Sequence, residues 1–122
     1  MTTKKLLMAI VELGGYPDFS NIYEQESFQV IQLRSVRKAI QSLKRESPQI
    51  IVAEFNFQSD FRDRTSSLES LLAVVERIPD CRVVVFYEEE YEHQLARLQQ
   101  QYKLHACLSY PIDVEKLRSA IN

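Results

Sequence analysis

Glu54 closes the apolar run Ile50-Ile51-Val52-Ala53, and no other residue of this chain is better placed to do chemistry. In a parallel α/β sheet, ligands gather at the carboxyl ends of the strands, so a carboxylate that ends a central strand points at the functional edge. Three other apolar runs end in Glu12, Tyr87 and Tyr110. Asp60 is a further carboxylate, in the polar loop between Asn56 and Thr65. This is not a catalytic set: the strand ends offer scattered carboxylates and neutral phenols, with no acid–base pair and no activated nucleophile. His93 and His105 are lone histidines without a ligand-type partner at helical spacing, and they read as surface residues. Cys81 and Cys107 have no metal spacing and form no disulfide framework, which suits a reducing cytoplasm. No metal, no cofactor and no enzymatic activity are expected.

The elements that must position these residues alternate regularly. Leu6 to Leu13 is an aliphatic run closed by Gly14-Gly15 and reads as a strand covered on both faces. Phe19, Ile22 and Tyr23 recur at helical spacing over a short stretch. Phe28 to Leu33 alternates as a strand, and Ser35 can cap a helix with the apolar stripe Val36, Ala39, Ile40 and Leu43, closed by Lys44 and Arg45. Gln49 to Phe55 is the most aliphatic centre of the chain and reads as the middle strand. Ser66 and Glu69 spell a capping box before Leu68, Leu71, Leu72 and Val75. Arg82 to Tyr87 follows as a strand, then Tyr91, Leu95 and Leu98 as the seam of a helix, then Ala106 to Tyr110 as a last strand. Asp113 caps a final helix with Val114, Leu117 and Ile121 turned inward. Five strands alternating with five helices predict a doubly wound α/β fold, a parallel sheet between two helical layers.

The 122 residues fit one domain, 1–122, and 45% apolar content is enough for one core without cross-links. With 17 acidic against 15 basic residues and the basic ones dispersed, the chain has no nucleic-acid footprint. Its apolar runs are too short to span a bilayer, and the first lacks a cleavage site, so the expected location is the cytoplasm, with no membrane contact. Glu88, Glu89, Glu90 and Glu92 gather where the fourth helix begins, which helix stabilisation and solvation mostly explain.

This order of elements, with Pro48-Gln49-Ile50-Ile51-Val52-Ala53-Glu54 and the ending Leu108-Ser109-Tyr110-Pro111-Ile112-Asp113, closely resembles the response-regulator receiver domain over the whole chain. The resemblance implies the CheY-like, flavodoxin-like three-layer sandwich with a five-stranded sheet of order 2-1-3-4-5. It places Glu54 at the phosphoacceptor position, where receivers carry aspartate. Glu12 falls at the acidic pair that holds Mg²⁺, with Val11 beside it. Tyr87 stands where receivers have a hydroxyl residue, and Tyr110 where they have a lysine. One hard ligand at the acidic pair is a poor Mg²⁺ site, and a phenol cannot clamp a phosphoryl dianion as an ammonium does. Tyr87 and Tyr110, as neighbours at the sheet edge, are expected to plug the vacated pocket. Glu54 itself is read either as a solvated strand end bonded to a loop or as a conformational element. The receiver's lysine–proline bond is usually cis, so a cis peptide is expected before Pro111.

The resemblance thus implies a degenerate pseudo-receiver. Its expected role is a phosphorylation-independent signalling module that binds a protein partner or its own copy through the fourth helix, fifth strand and fifth helix, with Tyr91, Leu95, Tyr110 and Lys116 as interface residues. Since the chain stops where a receiver stops, it is also read as the regulatory portion of a larger bacterial regulator. The alternative is a working two-component receiver that takes a phosphoryl group in a phosphorelay on Glu54 or Asp60. A flavodoxin-type ligand binder ranks last, because Gly14-Gly15-Tyr16-Pro17-Asp18 lacks the hydroxyl-rich loop a phosphate needs.

Overall fold

The computed structural model describes residues 5–12, 15–56 and 67–122. Its strands are β1 (Lys5–Ile10), β2 (Phe28–Leu33), β3 (Ile50–Glu54), β4 (Arg82–Tyr87) and β5 (Ala106–Ser109), all parallel, in the order β2-β1-β3-β4-β5. The helices are α1 (Ser20–Gln25), α2 (Val36–Ser42), α3 (Ser67–Val75), α4 (Glu92–Gln101) and α5 (Val114–Ile121). A 3-10 turn, Glu89–Tyr91, leads into α4. This is the expected sheet order, with the most aliphatic run, β3, at the centre.

Period-two alternation divides the three central strands between two cores. Met8, Ile10, Ile51, Ala53, Val83 and Val85 face one layer, built from α2, α3 and α4. Leu7, Ala9, Ile50, Val52, Val84 and Phe86 face the other, built from α1 and α5. The helices reply at helical spacing with Leu68, Leu71, Leu72 and Val75 on one side and Leu117, Ala120 and Ile121 on the other. Each fully buried Leu, Ile or Val of this kind stabilises the fold by about 1.5–3 kcal/mol before cavity effects.

Local chemistry sets the helix starts. Ser35 Oγ accepts the Lys38 amide at 3.1 Å, and Asp113 Oδ1 accepts the amides of Glu115 and Lys116 at 2.8 and 3.2 Å. Both caps are where the sequence puts them. The capping-box residue Ser66 lies outside the described residues. Helix α2 stops at Ser42, so Lys44 and Arg45 follow it rather than close it, and its Ile40 and Leu43 are only half-buried. Strand β1 ends at Ile10 rather than Leu13. Asn122 Nδ2 donates to Glu26 Oε1 at 2.6 Å and Arg118 Nη2 to Gln25 Oε1 at 3.0 Å, which fastens α5 to the end of α1 on the same face.

Among the described residues, no helix is long and apolar enough to cross a membrane. Cys81 and Cys107 are both free and half-buried. Cys107 pairs in register with Val85, and Cys81, just before β4, lies four residues back from Val85, about 13 Å at strand spacing. The thiols are too far apart to bridge.

Candidate functional site

The alternation that fills the α1/α5 core also aims Glu54. Following Ile50 and Val52, it is the third residue of β3 on that face, and it pairs in register with Phe86 of β4. The side chain is not solvated, as one reading of the sequence held. It is 6% exposed, and Glu54 Oε1 accepts the Glu12 amide and Asn56 Nδ2, both at 3.3 Å. The second half of that reading, a bond to a loop, describes what the carboxylate does. A buried carboxylate needs such donors because desolvation of the charge is costly.

Glu12 presents its backbone, not its carboxylate, to Glu54. Its Oε2 lies 3.4 Å from the amide of Val36, the first residue of α2. The charge is thereby spent on an orphan amide at a helix start, where a carboxylate is favourable. The residue before it, Val11, brings no oxygen donor from its side chain and continues the β1–β2 pairing through its amide to the Leu33 carbonyl at 2.8 Å.

Tyr87 and Tyr110 do not plug a pocket together. Tyr87 is in register with Ser109, not Tyr110, and packs against the α2/α3/α4 core. Burial, and then Glu92, hold its phenol above the usual range. The Tyr110 amide donates to the Tyr87 carbonyl at 2.8 Å, but the Tyr110 ring meets Tyr16, on the α1 side, at a centroid distance of 5.7 Å and 68°. One residue of register therefore sends the two phenols to opposite faces. The Tyr110–Pro111 peptide is cis, and Tyr110 is 50% exposed.

Tyr16 supplies the cover that the sequence reading assigned elsewhere. Its ring lies 5.3 Å from Phe86, which in turn makes an edge contact with Phe19 at 5.7 Å. Burial, with added repulsion from Glu88 and Glu54, pushes the Tyr16 phenol up to about 12. Beneath it lies a cavity of about 140 Å³, lined among others by Tyr16, Asp18, Phe19, Tyr23, Glu54 and Phe86. The available signal was an aromatic directly after Gly14-Gly15. Nothing in one dimension says that this residue folds over the end of β3.

The remaining candidates separate. Of the interface set, Lys116 and Tyr110 are exposed, Tyr91 is half-buried against the core, and Leu95 is 2% exposed. Leu95 is therefore a core residue and is withdrawn from the interface: it lies on the same stripe of α4 as Leu98, turned to the sheet. Asp60 lies outside the described residues. His93 and His105 are exposed, and among the described residues no three His, Cys, Asp or Glu side chains gather as a metal site. A Cβ on Gly15 would meet open space, so no close backbone approach requires that glycine.

No protein-family model matches the chain, nor does any curated protein. Solved structures do match. A response-regulator receiver domain protein from Clostridium thermocellum superposes with a TM-score of 0.74 at 14% identity, over 97% of this chain and 91% of that one. A CheY-like receiver domain protein from Methanospirillum hungatei gives 0.74 at 10% identity, over 98% and 91%. The N-terminal signal receiver domain of a two-component response regulator from Bacteroides fragilis gives 0.72 at 19% identity, over 98% and 94%. With the sheet order, these likenesses establish the class: a doubly wound flavodoxin-like fold, and within it the fold of the response-regulator receiver domain.

Proposed function

We propose that this chain is a receiver-like signalling module that acts by protein–protein contact without accepting a phosphoryl group. The observation that carries the reading is the placement of Glu12: its carboxylate is engaged at the start of α2 while its amide is bound to Glu54. Mg²⁺ demands near-octahedral oxygen coordination, with carboxylates supplementing water and phosphate. The donors present do not fit that demand. Glu12 is turned away, and Val11 offers no side-chain oxygen. Tyr110 occupies the place of the clamping lysine with a neutral phenol.

The contact surface in this reading is the face made by α4, β5 and α5, where Tyr110 and Lys116 are exposed beside the open edge of β5. Its occupant is a protein partner or a second copy of the chain. The module is non-enzymatic, and its regulation comes from partner or ligand binding.

The test is an amide NMR series on the isolated protein with Mg²⁺ and then beryllofluoride, which mimics a phosphoryl group on a carboxylate. The expected result is a folded spectrum in which Glu12, Glu54 and Tyr87 do not move. Mg²⁺-dependent shifts at those residues would overturn the reading in favour of a working receiver.

A further inference from the structure

The two edge strands of the sheet, β2 and β5, are unlike. β5 is four residues long and is followed at once by Tyr110 and Pro111, and a short strand ended by proline offers little for another strand to pair with. β2 is six residues long, Phe28-Gln29-Val30-Ile31-Gln32-Leu33, with no charge, no Pro and no Gly, and it pairs with β1 residue for residue without a bulge. It therefore lacks the devices that keep edge strands apart. β2 is also uncovered. Whereas β3 is buried throughout, Gln29 and Gln32 are exposed and Val30, Ile31 and Leu33 are half-buried. The Leu33 carbonyl accepts the Val11 amide, so Leu33 turns its backbone groups to β1. By strand alternation Gln29 and Ile31 do the same, and Phe28, Val30 and Gln32 turn theirs outward, a row of donors and acceptors that an extended backbone can pair with.

Charge selects the backbone. Glu24 and Glu26 precede β2, Arg34 and Arg37 follow it, and none of these forms an ion pair with another described residue. Antiparallel pairing with a second copy sets the acidic end of each strand beside the basic end of the other, whereas parallel pairing sets like beside like. A two-fold axis normal to the sheet leaves each face on its own side, so it joins residues of the same face. Centred on Val30, it sets Val30 against Val30, Phe28 against Gln32 and Glu26 against Arg34, and the strand residues among these are the outward-turned ones.

We propose that two copies of this chain associate through β2, antiparallel about Val30, and join their five-stranded sheets into one. An antiparallel neighbour at the edge of a parallel sheet is a common arrangement, and an isologous contact of this kind closes at the dimer. The β5 edges then lie at the two far ends, so the face made by α4, β5 and α5 stays open to a partner. The inference stands whether or not Glu54 accepts a phosphoryl group.

The experiment is sedimentation equilibrium of the whole chain over a wide concentration range, with amide hydrogen exchange measured at both ends of that range. The expected mass rises with concentration to twice that of one chain and no further. The outward amides of Val30 and Gln32 should exchange more slowly at high concentration, while those of Ile31 and Leu33, turned to β1, are protected at both. Gln32→Lys, a charge at an exposed position of the edge, should weaken the dimer about tenfold. Arg34→Glu should weaken it by about as much, and adding Glu26→Arg to Arg34→Glu should restore it to within about threefold, a rescue that a folding defect cannot imitate. A monomer at every concentration, or Val30 and Gln32 amides equally protected at both, would overturn the proposal. So would a dimer indifferent to Gln32→Lys, which places the contact on another face, or a charge swap that restores nothing in a folded protein.

Discussion

Tyr16 and Tyr110 meet edge to face, 5.7 Å between ring centroids, and Tyr16 also lines the cavity that Glu54 and Phe86 line. The contact joins the segment after β1 to the residue after β5.

That contact predicts a measurable coupling. An edge-to-face pair contributes about 0.5–1.5 kcal/mol beyond area burial, and the half-exposure of Tyr110 favours the lower end. A double-mutant cycle of Tyr16→Ala and Tyr110→Ala in urea denaturation should return a coupling in that range. Additive losses would show that the rings do not support one another.

Glu54 should be sensitive to what replaces it. Glu54→Ala leaves the part-buried Glu12 amide without this acceptor and should cost about 1–3 kcal/mol, whereas Glu54→Gln, which keeps a carbonyl oxygen, should cost less. Equilibrium denaturation of the two variants gives the comparison. Equal costs would mean that the amide bond is not what Glu54 contributes.

On α4 and α5, stability and association should separate by residue. Leu95→Ala removes a fully buried side chain and should destabilise by about 2–5 kcal/mol. Lys116→Ala, at an exposed position, should stay within about 0.5 kcal/mol and reveal itself only in partner or self-association assays.

Alkali should weaken the fold before it harms the chain. Burial raises the Cys81 and Cys107 thiols from 9.0 to about 11 and the Tyr16 phenol from 10.0 to about 12. A group with a raised folded pKa contributes stability that is full below its unfolded value and is lost as pH rises through the folded one. Urea midpoints should therefore fall between pH 9 and pH 12. A Cys81→Ala, Cys107→Ala variant should reduce the loss between pH 9 and pH 11, and Tyr16→Phe should reduce it between pH 10 and pH 12, where the more deeply buried Tyr23 phenol, also raised, goes on contributing. The same raised thiol values predict alkylation near pH 8 about tenfold slower than that of a free thiol, read by mass spectrometry.

Much of the architecture is legible in one dimension because its signals are periodic. Val83, Val84, Val85 and Phe86 are apolar without interruption since β4 is covered on both faces, and Leu68, Leu71, Leu72 and Val75 mark the buried stripe of α3. Caps are as local as turns, so Ser35 and Asp113 are readable too. Glu54 could be picked out because a charge after four aliphatics is conspicuous wherever the strand goes.

What only the tertiary structure decided depends on contacts between segments far apart in sequence. The strand pairing that sets Tyr87 opposite Ser109 is a property of two strands, and a one-residue difference from expectation sends Tyr87 and Tyr110 to opposite faces. Glu12 is one carboxylate among many in the sequence, and its use at the Val36 amide depends on how β1 and α2 meet. Tyr16 becomes the cover of Glu54 because β3 and β4 bring Glu54 and Phe86 side by side beneath it. The sequence by itself determined the alternating elements, the two buried faces and the carboxylate at the end of the middle strand, because side-chain periodicity and caps act locally. The surroundings of that carboxylate were decided only by long-range register, since no local propensity records which residues will meet across the sheet.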